Sequence, residues 1–219
     1  ADMSPEAIDK ALDESVNDES LPDDERYAAM LQKAMIDSAH GRFDQAYSAL
    51  KYMLGYFQHT KNYSLQAVAI IAAGDIFTRK NEFAKASHVY ETAIGPAVKS
   101  ESATILYSVT SNLAESEFNR GDFPLAEKYY AQTEELASKI LFADGKINAL
   151  NQKAECAVQQ DAWDRAVEAW EKAADFCRNG EYTEELMFEL EKLVEAGQYL
   201  ESDKRDDYQQ ELKDLKAGE

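Results

Sequence analysis

Cysteine is almost absent from this chain: Cys156 and Cys177 are the only two in 219 residues. That is too few for a disulfide framework. Proline and glycine are also scarce, at 4 and 9, so few positions interrupt a helix. No alternating β-branched pattern marks a strand. No apolar run is long enough to cross a bilayer as a helix, and no cleavable signal is visible, so the expected compartment is the cytoplasm. The three histidines, His40, His59 and His88, share no ligand spacing with one another or with a cysteine, and no metal site is expected. No glycine-rich phosphate loop follows a strand, and no nucleophile motif surrounds a serine. No catalytic residue and no cofactor are expected, and the chain reads as a non-enzyme.

Positive charge is the other shortage. Lys and Arg number 23 against 42 Asp and Glu, a net of −19. The imbalance sits at the ends: residues 1–26 and 181–219 each carry −8, and residues 27–180 only −3. Such a chain repels nucleic acid and anionic membrane, because binding phosphate needs a basic patch. The simplest role of the acidic ends is solubility.

Against these shortages stands a repeat. The segments "GRFDQAYSAL" from Gly41, "NEFAKASHVY" from Asn81, "GDFPLAEKYY" from Gly121 and "DAWDRAVEAW" from Asp161 recur every 40 residues. Aromatics fall at Phe43, Phe83, Phe123 and Trp163, and alanines at Ala46, Ala86, Ala126 and Ala166. A fixed period of this length marks a stack of repeated units. Each unit lies between two helix-period stretches. Ile70, Ala73, Gly74 and Phe77 form one apolar stripe, and Phe83, Ala86, Tyr90 and Ala93 another. Gly or Asn after the first stretch suits a left-handed helix stop, and a turn this short makes the two helices antiparallel.

The spacing small–x–x–aromatic, turn, aromatic–x–x–Ala–x–x–x–aromatic–x–x–Ala resembles the tetratricopeptide repeat (TPR) family. Gly74, Phe77, Ala86, Tyr90 and Ala93 carry it best. Leu150, Ala154, Ala166, Trp170 and Ala173 repeat it, as do Leu113, Ala114, Ala126 and Tyr130, and Met30, Ala34, Ala46, Leu50 and Met53. The resemblance covers roughly residues 24–200. Asp37, Glu117 and Ala157 depart from it where the first helix should carry an aromatic. The period also exceeds the family's usual 34 residues, which is similar to the longer repeats of kinesin light chains and of adaptors that bind short regulatory motifs. The resemblance implies an all-α fold: an α-solenoid of antiparallel helix pairs, a TPR-like superhelix with about four full repeats plus capping helices. Residues 1–23 read as an acidic segment with a short helix from about Pro5 to Ser15, capped by Ser4. Residues 24–200 read as the solenoid. Residues 201–219 read as a polar capping helix over about Lys204–Lys216.

The resemblance also implies that the first helix of each pair lines a concave groove. The expected groove positions are Ala28, Leu31, Met35 and Ser38; then Val68, Ile71, Asp75 and Arg79; then Ser108, Ser111, Asn112, Glu115 and Asn119; then Asn148, Asn151, Gln152, Glu155 and Gln159; and finally Glu191 and Glu195. This set grades from apolar through Asn/Gln to acidic. Asn and Gln pair with a peptide backbone whatever its side chains, and Asn is a poor helix former, so its clustering asks for a reason. The expected partner is a protein segment with an apolar anchor and basic residues. Co-chaperone relatives use a basic clamp for an acidic tail; Leu31, Met35, Ile71 and Asp75 stand at those positions here, which argues against that subgroup. A monomer is the expected state. The alternative function is a self-assembling scaffold subunit with end or edge contacts.

The two thiols are expected to stay free. Cys156 should face about residue 166, and Cys177 lies eleven residues further along the partner helix, about 16 Å away along the axis. A disulfide needs Cα atoms within about 7 Å.

Overall fold

The computed structural model of the protein describes residues 5–217. Among these the chain forms α1 (Pro5–Asn17), α2 (Asp23–Ala39), α3 (Phe43–His59), α4 (Tyr63–Arg79), α5 (Phe83–Lys99), α6 (Ala103–Arg120), α7 (Phe123–Lys139), α8 (Ala143–Gln159), α9 (Trp163–Gly180), α10 (Thr183–Glu195) and α11 (Ser202–Ala217), with a single 3-10 turn at Gly197–Tyr199. No strand occurs among the described residues. The fold is the all-α solenoid of helix pairs that the repeat implies. Helix α1 runs slightly beyond the expected Ser15, and α11 starts slightly before the expected Lys204. Ser4 lies outside the described residues.

The backbone repeats twice as often as the sequence does. Gly41, Lys61, Asn81, Glu101, Gly121, Leu141, Asp161 and Glu181 all adopt positive φ, from 54° to 81°. One helix therefore stops every 20 residues, and α2 to α9 are each 17 or 18 residues long, about 25 Å. In seven of these turns the next N–H bonds to the carbonyl five positions back at 2.8–3.0 Å, as Tyr182 does to Cys177. The positive-φ residue bonds three positions back, as Gly121 does to Phe118. Together these bonds are the Schellman ending, which occupies carbonyls that the helix leaves free. The restart is capped in places: Asn62 and Asp122 accept from the Leu65 and Leu125 N–H groups, both at 3.2 Å, and Ser102 accepts from Ile105. Such a cap contributes roughly 1 kcal/mol.

The chain divides into two compact units, Ala1–Asn112 and Leu113–Glu219. In the first, Leu31, Ala46, Leu50, Met53, Phe57, Ala73 and Ile76 form the core. Gly74 sits directly beneath Tyr90: a Cβ on Gly74 would meet the Tyr90 ring at 2.3 Å. That contact explains why the small residue and the aromatic recur together, since one helix leaves the space that the other fills. In the second unit Ala114 packs with Tyr130, and Ala154 with Trp170. Ala46, Ala86, Ala126 and Ala166 are all fully buried, so the repeated alanine marks where paired helices approach. Helix α11 is polar but not detached. Its Tyr208, Leu212 and Leu215 pack on the second unit's core, and Arg178 forms a double hydrogen bond to Glu211 at 2.8 and 2.9 Å.

The family's aromatic column holds acids at two positions, and both are buried. Asp37 accepts from Arg42 Nε and Nη2 at 2.9 and 2.6 Å. Both Glu117 oxygens accept from Arg120 Nη1, at 2.9 and 2.8 Å. Each arginine closes over its acid from just beyond the helix end or from the same turn.

Candidate functional site

The first helices of the pairs are α2, α4, α6, α8 and α10. Their register brings residues 40 apart onto equivalent faces. One column reads Met35, Asp75, Glu115, Glu155 and Glu195, and another reads Leu31, Ile71, Ser111, Asn151 and Glu191.

In the first unit the expected face is largely absorbed into the fold. Leu31 does not line a groove. It is 3% exposed and belongs to the core cluster, because α2 packs against α1 and α4 as well as against α3. Ser38 is buried too. Asp75 is engaged from two sides: the Tyr90 hydroxyl donates to it at 2.6 Å, and the Asn112 amide at 3.3 Å. Burial pushes the Asp75 carboxyl above its ordinary range, against the Tyr90 hydrogen bond and the Arg79 charge. Met35 and Arg79 are exposed, and Ile71 and Val68 half-buried.

In the second unit more of the face stays open. Glu115, Asn119, Asn148, Gln159, Glu191 and Glu195 are exposed, and Gln152 and Glu155 half-buried. The Asn119 amide donates back to the Glu115 carbonyl of its own helix, and Gln159 donates to the Glu155 carboxylate at 2.8 Å. Glu191 pairs with Lys216, and Glu195 lies 3.7 Å from Lys192. Glu115 and Glu155 have no cation partner within ion-pair distance among the described residues. Beneath them Tyr130 and Cys156 are buried. Burial raises both groups, the thiol to about 12, with Glu115 adding to the Tyr130 shift and Glu127 and Glu155 to the Cys156 shift.

Asn151 has a structural partner that the sequence reading missed. Its amide donates to Glu189, on α10, at 2.6 Å, and Glu189 is fully buried. Burial lifts the Glu189 carboxyl to about 7, opposed by the Asn151 bond and the Lys192 charge. A signal was available. Ala29, Ala69, Val109, Ala149 and Glu189 share one column, all buried, and an acid in that column needs a polar partner. Asn112 and Asn151 thus have a place in the fold: each holds a carboxylate on a neighbouring first helix.

Among the described residues no cluster of His, Cys, Asp or Glu is arranged to hold a metal ion, and no helix is long and apolar enough to cross a membrane. Cys156 and Cys177 are both buried free thiols.

Residues 101–179 match the tetratricopeptide repeat family. The chain is similar in structure to BtubC (BKLC) from P. vanneervenii, at 17% identity over 99% of this chain and 92% of that one, with a TM-score of 0.75. It is similar to kinesin light chain, nearly identical TPR-like repeats of a Podosopora anserina protein, at 14% identity over 88% and 94% of the two chains, with a TM-score of 0.67. It is also similar to a Rap protein complexed with competence and sporulation factor, at 14% identity over 97% and 71%, with a TM-score of 0.61. A comparison with curated proteins finds no match. With its helix stops and its 40-residue sequence period, the chain has a TPR-like repeat fold of the long-repeat kind, and residues 101–179 carry the family's own signature.

Proposed function

We propose that this chain is a non-enzymatic interaction module that holds a segment of a partner protein, and that basic residues of the segment meet the first-helix faces of the second unit. One observation carries the reading: Glu115, Glu155 and Glu195 put a carboxylate in the same column of α6, α8 and α10, and the first two lack a cation partner among the described residues. The buried acids Asp37 and Glu117, by contrast, each have an arginine partner. Acids without a cation partner on α6 and α8 raise the local negative potential and favour Lys or Arg. Asn119, Asn148 and Gln152 flank them with groups that suit a peptide backbone. The Rap neighbour, complexed with competence and sporulation factor, supports the use of such a fold for binding.

The test is capture from native lysate by wild type and by a Glu115→Lys, Glu155→Lys double variant, at low and moderate salt. Helicity is checked in parallel. A protein held by wild type and released by the variant, more readily as salt rises, is the expected result. Equal retention by both would move binding away from this face.

A further inference from the structure

The turn between α7 and α8 breaks the pattern of its seven counterparts. At the positive-φ position the others place glycine or a polar residue: Gly41, Lys61, Asn81, Glu101, Gly121, Asp161 and Glu181. This one places Leu141, at φ 56° and 91% exposed. A branched apolar side chain is poorly suited both to that backbone conformation and to water. The fold gains nothing local from it, since Gly or Asn would serve the Schellman ending better. The next residue, Phe142, is also exposed, at 42%. Strain kept alongside exposed apolar surface is typical of a contact made with something else.

The two residues edge a cleft of about 290 Å³ within the second unit, whose walls include Ser138, Lys146, Phe176 and Tyr182. That is at the lower end for ligand pockets, about 300–1,000 Å³, so it has room for a large side chain rather than a cofactor. The Phe176 and Tyr182 rings stack at 5.9 Å, and the Lys146 ammonium sits 4.4 Å from the Phe176 centroid. Lys146 forms no ion pair among the described residues, and no carboxylate lines the cleft. In a chain of net charge −19 the one charged residue of this lining is thus basic. The first residue of α8, Ala143, and the last turn of α7, through Ala137 and Ser138, both line the cleft, so their opposite helix-end charges offset and Lys146 sets the sign. Asp144, in the first turn of α8, is exposed and stays outside the lining.

We infer that this cleft is a second docking site, which takes a partner segment carrying a large apolar side chain next to a carboxylate. The side chain enters between Leu141, Phe142 and the Phe176–Tyr182 stack. The carboxylate meets Lys146. The site is separate from the acidic first-helix faces and selects the opposite charge.

The experiment is selection of a random peptide library displayed on phage against the full chain, with depletion on a Lys146→Glu and a Leu141→Gly variant. Affinities of the selected peptides follow by fluorescence anisotropy, and self-association by sedimentation. The expected peptides carry Leu, Phe or Trp beside Asp or Glu, bind more weakly as salt rises, and bind each variant about tenfold more weakly. Leu141→Gly should melt no lower than wild type, since it relieves the backbone while removing the contact. That separates loss of the site from loss of the fold. Glu115→Lys with Glu155→Lys should leave these affinities unchanged. No enrichment, enrichment of basic peptides, or equal binding to both variants would overturn the inference. So would a wild-type dimer that Leu141→Gly returns to monomer, because the occupant would then be a second copy of the chain.

Discussion

The Asn151 amide of α8 and the Glu189 carboxylate of α10 meet at 2.6 Å in the interior of the second unit, yet Asn151 Oδ1 and Glu189 Oε2 are both buried with no hydrogen-bond partner among the described residues. Both are acceptors, so the pair is one donor short. A proton on Glu189 supplies it and also removes the buried charge, and both effects lift the carboxyl toward neutral pH.

The first prediction follows from that pair. Glu189 titrates near 4.5 when unfolded and near 7 when folded, so the native state holds the proton longer. Its contribution is greatest below pH 4.5 and declines as pH rises to about 7, a loss of about 3 kcal/mol at most. Glu189→Gln brings a permanent donor and no charge. Urea unfolding at pH 5 and pH 8 should show the variant losing less stability between the two than wild type does. Parallel profiles would mean that Glu189 is already ionised at pH 5.

Gly74 and Tyr90 give a steric prediction. Gly74→Ala sets a methyl where the Tyr90 ring lies, and Tyr90 also anchors Asp75 through its hydroxyl. Overpacking of this kind costs about 1–3 kcal/mol, against a small gain from helix propensity. Gly55→Ala, also within a helix but with open space around its Cβ, should be neutral or stabilising. Thermal melts of the two variants should move in opposite directions, and similar shifts would discount the close packing.

The repeat was legible in the sequence because glycine and asparagine mark turns and because Ala46, Ala86, Ala126 and Ala166 fall where helices touch. The alternate turns were not: Lys61, Glu101, Leu141 and Glu181 have no special turn chemistry, and their positive φ is imposed by the helix stop and restart around them. The candidate face was less legible than the fold. Counting around one helix places Leu31 beside its core stripe, but contacts with α1 and α4 widen that stripe until it takes Leu31 in. Asn112 and Asn151 look like free recognition groups on their own helices. Their acid partners are 37 and 38 residues away, a relation that single-helix periodicity does not carry.

The thiols give a chemical prediction. Cys156 and Cys177 are buried and free, and burial raises them to about 12 and 11. Thiolate, the reactive form, is therefore scarce at pH 8. Native protein should react with almost no aromatic disulfide reagent at that pH, and denatured protein without reductant should yield both thiols. A fast-reacting native thiol would show local opening of α8 or α9.

Asp37 and Arg42 give the last. Asp37 stands at the family's aromatic position, and its carboxylate is 4% exposed while the arginine over it is 42% exposed. Burial makes the acid depend on its partner, while the arginine, half in water, depends much less on the acid. Arg42→Ala leaves the carboxylate buried without that ion pair and should cost about 1–2 kcal/mol, less than a fully buried pair would. Asp37→Asn removes the charge at nearly constant shape. In that background Arg42→Ala should cost much less, so a double-mutant cycle by urea unfolding should give a favourable coupling of similar size. An additive cycle would mean that the arginine acts through packing of its side-chain stem over the helix end rather than through its charge.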